Sequence, residues 1–495
     1  MLLEEALAEI PGIELRGGAQ VSLRGISYDS RLVKKGHLFV AIKGETTDGA
    51  LFIPQAAQRG ACAIAAEEYR DCDDDIPFLK VADARRFLAE VSRVFYQDPA
   101  PKLKLVAVTG TNGKTTTSFL ADEIFRQAGF RSCLVGTVGM KIAGRPFPSE
   151  RTTPEASDLT MFLRRSVDAG CTHGVLEVSS HALALKRVFG TRFTVGVFSN
   201  LTPDHLDFHH DMESYYQAKR LLFVPEGENR IEAAVINVDD PYGRRLVSEI
   251  PGPVVSYGMT APANIHVLEC SPRMDGTHLC LATHQGEIDV ETRLVGRPNV
   301  YNIMAAVGAA QALDIVPDAI RLGIEKLAGV PGRMEIIDQG QPFTIIVDYA
   351  HTPDALDNLL ETVTQLNHRR VITVFGCGGD RDRIKRPVMG RIAGAKSDYV
   401  IATSDNPRSE DPDQILAEIE AGLRDAPAPY QMIPDRRKAI ETALKTAESG
   451  DVIVIAGKGH EDYQIIGTRA YPFDDRRVAR DFLFRFTRAG GKKRE

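Results

Sequence analysis

Leu103-Lys104-Leu105-Val106-Ala107-Val108 runs directly into Thr109-Gly110-Thr111-Asn112-Gly113-Lys114-Thr115-Thr116, and then into Ser118-Phe119-Leu120-Ala121-Asp122-Glu123-Ile124-Phe125. The first run is short and apolar, the pattern of a buried strand, and the last reads as a helix. Between them, Gly110 and Gly113 let backbone N–H groups close around an anion with no Cβ in the way, and the helix N-terminus adds its dipole. Strand, glycine loop, Gly-Lys-Thr and helix together predict a site for ATP or GTP. In such a loop Lys114 bridges the β- and γ-phosphates, and the Thr115 hydroxyl holds Mg²⁺. The usual pattern has one more glycine, five positions before Gly113, where this chain carries Val108. The alternative is an ordinary strand–turn–helix holding a Gly-Lys-Thr by chance.

About a hundred residues precede the loop, enough for a domain of their own. With 495 residues the chain is too long for one core, so roughly two to four domains are expected. A hydrophobic content of 43% and a charged content of 26% are those of a globular protein. The net charge of −7 argues against a nucleic-acid binder that works through an overall positive field. Seven cysteines with no Cys-x-x-Cys pair read as reduced thiols of a cytosolic protein. Glu4 and Glu5 stand where a signal peptide needs positive charge, and no apolar stretch is long enough to span a membrane. The tail from Gly490 to Glu495 reads as a frayed end rather than a basic patch.

Two proline- and glycine-bearing linkers, Asp98-Pro99-Ala100-Pro101 and Gly329-Val330-Pro331-Gly332-Arg333, divide the chain into 1–98, 99–333 and 334–495. In the first segment, 36–42 and 61–65 are strand-like. In the second, 174–178, 195–199 and 233–237 alternate with helical stretches, which predicts a mainly parallel sheet with crossover helices. In the third, the sheet is expected to begin at 343–347 and continue through 371–375, 399–403 and 452–456. The fold class is therefore α/β.

Glu177 closes the strand before Ser179-Ser180-His181, where a carboxylate suits a metal beside phosphates. Asn200–Asp211 crowds three histidines and three aspartates; a hard, oxygen-rich Mg²⁺ site edged by one histidine fits it better than zinc. His209, His210 and Asp211 read as a solvated turn. Lys219 reads from composition as a plain helix lysine; Asn299 and Asn302, three apart, fit either a shared helical face or plain capping by Asn299. The last segment ends its strands in four charged loops, at Asp348-Tyr349-Ala350-His351, Gly376–Arg383, Ser404–Glu410 and Gly457–Gln464. Four such loops at one sheet edge suggest a pocket for a small molecule with both carboxylate and ammonium groups.

Taken in order, Gly110–Thr116, Glu177-Val178-Ser179-Ser180-His181, Asp204-His205-Leu206-Asp207, Asn299-Val300-Tyr301-Asn302, Gly332-Arg333 and Asp348-Tyr349-Ala350-His351 resemble the Mur ligase family over essentially the whole chain. Asp405-Asn406-Pro407-Arg408 and Gly457-Lys458-Gly459-His460-Glu461 resemble those members that add meso-diaminopimelate. The resemblance implies a small N-terminal α/β domain for a UDP-linked substrate, a central P-loop domain for ATP, and a C-terminal Rossmann-like domain for the amino acid. It implies an ATP-dependent ligase that activates a D-glutamyl carboxylate as an acyl phosphate for attack by an amine.

By the same resemblance Gly110, Thr111, Asn112, Gly113, Lys114, Thr115, Thr116, Asn299, Asn302, Arg333 and Asp348 meet ATP. Thr115, Glu177, His205 and Lys219, the last carrying a CO₂-derived carbamate, serve Mg²⁺. Lys114, Glu177, His205, Lys219 and Arg333 are the implied catalytic set. Ser30, Thr152, Thr153, Ser179 and Arg187 match contacts to UDP-N-acetylmuramoyl-L-alanyl-D-glutamate. Arg381, Asp405, Asn406, Pro407, Arg408, Gly457 and Glu461 match the diaminopimelate site, where Arg408 would pair with the extra carboxylate that lysine lacks. Glu45-Thr46-Thr47 and Leu185 depart from some relatives. The implied protein is a cytoplasmic monomer acting on small molecules, with no nucleic-acid or membrane partner. The rival readings are a lysine-adding or folylpolyglutamate-type ligase, and a nucleotide-switched binding protein with no synthetic activity.

Overall fold

The computed structural model describes residues 1–44, 47–70, 75–149, 151–273 and 276–490, with side chains to residue 485. Glu45, Thr46 and the last five residues of the tail lie outside this set. The described strands form three main sheets and one two-stranded ribbon, Tyr463–Ile466 with Arg469–Pro472. The first sheet runs Glu14–Arg16, Phe78–Lys80, Ala63–Ala66, His37–Val40, Gly25–Ser27, parallel except at Glu14–Arg16.

The strand Lys104–Thr109 lies within the largest sheet, between His173–Glu177 and Arg192–Phe198, and is parallel to both. Its side chains alternate between two cores. Val106 and Val108 pack on one face with helices Lys114–Gln127 and Arg297–Gln311, while Leu105 and Ala107 pack on the other with helix Ala156–Asp168. A strand buried on both faces needs a continuous apolar run, which is why this segment does not alternate polar and apolar residues. Val108 is part of that core, and the tight loop begins only at Gly110.

The parallel centre of this sheet runs Ser132–Gly136, His173–Glu177, Lys104–Thr109, Arg192–Phe198, Arg230–Asn237, Val254–Gly258, Ile265–Arg273. Both margins are antiparallel. Gly139–Ile142 and Arg145–Phe147 extend one side, and Gly276–Thr283 and Gly286–Thr292 the other. These hairpins are additions to the expected crossover pattern. Their strands alternate in burial, as in Gly286–Thr292, where Ile288, Val290 and Thr292 are buried between exposed neighbours, because one face meets solvent.

The third sheet runs Glu335–Ile337, Thr344–Asp348, Val452–Ala456, Val371–Phe375, Tyr399–Ala402, Tyr430–Met432. It begins one strand earlier than expected, with Glu335–Ile337 as an antiparallel edge, and the other strands are parallel. The four charged loops therefore leave the carboxyl ends of four adjacent strands. No described helix is long and apolar enough to cross a membrane.

Candidate functional site: a phosphate cavity and an amino-acid cradle

Gly113 caps helix Lys114–Gln127 with φ +88°, and a Cβ there would stand 2.3 Å from Asn302 Oδ1. Glycine is thus required both for the left-handed turn and for the approach of the neighbouring helix. Lys114 Nζ folds back onto the loop, donating to the carbonyls of Gly110 and Thr111 at 2.8 Å each. Lys219 Nζ donates to the same Gly110 carbonyl at 2.8 Å and lies 4.6 Å above the Tyr215 ring. Lys219 is 1% exposed. Burial, reinforced by the charge of Lys114, holds its amine well below the ordinary lysine pKa. The structure thus removes Lys219 from the class of plain helix lysines.

Glu177 is fully buried at the end of its strand. Its Oε1 accepts from the Thr137 N–H (3.0 Å), and its Oε2 from the hydroxyls of Thr137 (2.8 Å) and Thr115 (3.1 Å). A Cβ at Gly136 would fall 2.2 Å from Glu177 Oε1, so the neighbouring strand end leaves the carboxylate its space. Arg333 Nη2 donates to Thr115 Oγ1 (3.2 Å) from the second linker, and its guanidinium lies 4.5 Å over the Tyr349 ring. This hard-oxygen donor set, one carboxylate with hydroxyls, is chemically suited to Mg²⁺. Among the described residues no three His, Cys, Asp or Glu side chains converge into a metal cage.

A cavity of about 270 Å³ collects these groups, except Lys219, which is not among its lining residues. Thr111–Thr116, Thr152, Glu177, Ser179, His205, Asn299, Asn302, Arg333 and Asp348 all line it. Gly110 lies just behind, presenting its carbonyl to the two lysines. Asn302 Nδ2 donates to Asn299 Oδ1 (3.0 Å), which confirms that the pair shares a face. The Asp348 carboxylate accepts from the backbone N–H of Met334 and of Ala350 (2.7 Å each), pinning the chain just beyond Arg333.

Around the rim, Thr153 Oγ1 donates to the Glu177 carbonyl (2.8 Å) and accepts from the Ser179 N–H (3.2 Å). Arg187 donates to the Thr153 carbonyl (3.2 Å) and pairs with Glu155 (3.0 Å). Ser179 caps helix Ser180–Ala184. Ser30 is the outlier. It is buried against Gln55 in the first segment and is not part of the cavity.

One expectation fails. His209 does not sit in a solvated turn: it is 5% exposed, and its Nε2 is 2.9 Å from Ser180 Oγ. The ring fills space between His181 and Tyr215, and burial lowers its pKa to about 4. Asp211 caps helix Met212–Arg220 through the Ser214 N–H, and of the three only His210 and Asp211 are exposed.

The sequence reading also missed residues. Thr137, which donates twice to Glu177, follows a strand that gives no sign of a functional neighbour. Asp354 accepts from Asn112 Nδ2 (2.7 Å) and Thr202 Oγ1 (3.3 Å), joining the phosphate loop to the last segment. Its position in the first turn of a Pro-initiated helix reads as ordinary capping chemistry.

The second group, Arg381, Asp405, Asn406, Pro407, Arg408, Gly457 and Glu461, lies outside the cavity. Tyr349 stands between the two, lining the cavity and packing its ring 5.2 Å from that of His460. Asn406 Nδ2 donates to Glu461 Oε2 (3.0 Å), the buried Asp405 accepts from the Asn406 N–H (2.6 Å), and the Gly457 N–H donates to the Asp348 carbonyl (3.1 Å). The Pro407 carbonyl holds the Glu410 N–H (3.1 Å). Arg408 has φ +52° and donates Nη1 to the Gly379 carbonyl (2.7 Å). Burial and the adjacent Arg381 push its pKa down. Among the described residues neither arginine has an acidic partner within ion-pair distance. Arg381 donates instead to the Asp380 carbonyl (2.8 Å).

Family models match along the chain in the same order. The "Mur ligase family, catalytic domain" model covers residues 22–96, "Mur ligase middle domain" 108–310, and "Mur ligase, glutamate ligase domain" 332–459. A UDP-N-acetylmuramoyl-L-alanyl-D-glutamate–2,6-diaminopimelate ligase of Geobacter metallireducens is 46% identical, over 96% of this chain and 97% of its own. The chain belongs to the Mur ligase family. A solved structure of a diaminopimelate ligase of the same name aligns with this Mur ligase at a TM-score of 0.68 and 34% identity, covering 98% and 99% of the two chains. The MurF ligase of Thermotoga maritima in complex with ADP shares the fold, at a TM-score of 0.65 and 19% identity over 95% and 99%.

Proposed function

We propose that this Mur ligase joins meso-2,6-diaminopimelate to the D-glutamyl carboxylate of UDP-N-acetylmuramoyl-L-alanyl-D-glutamate at the expense of ATP, in peptidoglycan precursor synthesis. The observation that carries the reading is the pair of carboxylate-free arginines, half-buried Arg408 and exposed Arg381, set beside the acids Asp405 and Glu461. That arrangement suits one zwitterionic end of an amino acid, the carboxylate toward the guanidinium groups and the ammonium toward the acids. Lysine, with no carboxylate at its far end, would leave Arg408 half-buried and unpaired.

The division of labour follows the three segments. Residues 1–98 hold the uridine nucleotide through Ser30, 99–333 hold ATP, and 334–495 present the amino acid. Lys114 and the loop N–H groups gather the phosphates, while Arg333 reaches them from the linker. Thr115, Glu177 and His205 would hold Mg²⁺, which would supply positive charge where two anions meet. Thr152, Thr153, Ser179 and Arg187 align the D-glutamyl end with the γ-phosphate. Its carboxylate oxygen bonds to the γ-phosphorus as the bond to the β,γ-bridging oxygen breaks and ADP departs. The amine nitrogen then attacks the acyl carbon, the C–O bond to phosphate breaks, and the amine proton is lost to solvent.

Lys219 is suited to carbamate formation because burial lowers the pKa of its amine and favours the uncharged form. The neutral nitrogen bonds to CO₂, one N–H proton leaves, and a carboxylate-like anion replaces the amine. The protein acts as a monomer in the cytoplasm on small molecules alone.

The test is phosphate release with UDP-N-acetylmuramoyl-L-alanyl-D-glutamate, offering meso-diaminopimelate, L-lysine or glutamate as acceptor. Release that requires diaminopimelate is expected. Release with lysine or glutamate, or with no acceptor, would sink the assignment.

A further inference from the structure

Lys458, in the same loop as Gly457 and Glu461, is fully buried beneath the cradle. Its Nζ donates to Asn406 Oδ1 (3.1 Å) and to Glu461 Oε2 (2.8 Å). Asn406 Oδ1 also accepts the Ile465 N–H (3.0 Å), so both donors meet the same amide oxygen. The amide then has one orientation, with Nδ2 facing Glu461 Oε2 at 3.0 Å. Glu461 Oε2 thus takes both donors, and among the described residues Oε1 takes none.

We propose that Lys458 is a positioning residue for the acceptor: by fixing the Asn406 amide and occupying one oxygen of Glu461, it leaves the other oxygen to read the ammonium group of the amino acid. The inference rests on the amino-acid reading of the cradle. A buried lysine with a two-point contact is well suited to the task, since its three N–H directions bind a carboxylate and an amide oxygen together without themselves competing for the ligand's carboxylate. Without those donors the Asn406 amide is free to turn, and Glu461 can swing away from the ligand.

The experiment compares kcat/KM for meso-diaminopimelate and for 2-aminopimelate, which lacks one of the two amino groups, in the wild type, Lys458→Met, Lys458→Gln and Glu461→Gln. The wild type should prefer diaminopimelate. Lys458→Met should narrow that preference roughly tenfold or more, with the KM for ATP unchanged. Lys458→Gln keeps one donor and should fall between. The Lys458→Met/Glu461→Gln double variant should narrow it no further than the more damaging single change, since both act on one contact. A wild-type preference ratio in Lys458→Met while Glu461→Gln narrows it would overturn the proposal. If Lys458→Met does not fold, a wild-type ratio in Lys458→Gln would do the same. Wild-type phosphate release that ignores both acceptors would instead refute the function itself.

Discussion

The phosphate cavity and the amino-acid cradle are built on opposite plans. The cavity has walls from two sheets. The loop after Lys104–Thr109 forms one side, and the segment from Asp348 to Thr362 the other, linked by Asn112–Asp354 and Arg333–Thr115. The cradle comes from the last sheet alone, and fully buried cations brace it from below. Arg386 binds Glu410, Glu418 and the Gly378 carbonyl, tying two of the loops together. Arg436 pairs with Asp475 and donates to the carbonyls of Ser404 (3.4 Å) and Ala456 (3.0 Å), joining the root of the second of these loops to that of Gly457–Gln464. Breaking such a pair leaves a buried charge alone, which makes the arrangement rigid. One site therefore depends on how two bodies meet, and the other is preorganised within one.

The contrast can be broken from either side. The largest effect is expected at Lys219. Lys219→Ala should lower kcat about 10²- to 10³-fold, and short-chain carboxylic acids should restore part of it. Full activity of the plain variant would remove the carbamate role. Next comes Arg408→Ala, which should raise the KM for diaminopimelate about a hundredfold and leave the KM for ATP within about twofold. Equal changes in both would mean that the cradle is not independent of the cavity.

Asp354→Ala tests the opposite case. Losing a charged hydrogen bond across the gap should raise the KM for ATP about tenfold, with little change for diaminopimelate. The smallest effect should spare both sites. His173 stacks on Phe130 with centroids 3.9 Å apart, and burial lowers its pKa to about 4. The unfolded chain binds its proton below about pH 6.5, the folded one only near pH 4. This contribution is therefore intact above pH 6.5 and lost as the pH falls toward 4. His173→Phe should flatten the fall in unfolding free energy over that window by on the order of 1 kcal/mol. An unchanged slope in urea melts at pH 7 and pH 5 would refute it.

The sequence made the parallel core and most of the cavity legible, for a physical reason. A doubly buried strand must be apolar throughout, and a phosphate loop needs glycine and lysine at fixed spacing, so both leave local signatures. The margins did not, since a half-exposed strand such as Gly286–Thr292 carries an acid at every second position and lacks the continuous apolar run of the core. His209 was misread because its burial depends on packing against His181 and Tyr215, contributed by other elements. Asp354, Thr137 and Lys458 act only through partners remote in the chain. For the cradle, composition suggested only a zwitterion pocket; its residue roles came from family resemblance.

Gly136 is not among the residues lining the cavity, and its own conformation is ordinary. Yet any side chain there would occupy the position of Glu177 Oε1. A complete survey of tolerated substitutions along the chain should therefore find Gly136 as unforgiving as the carboxylate it faces. To a reader with sequences alone, it would pass for an active-site residue. Its invariance would be the outline of another residue, recorded as an empty space.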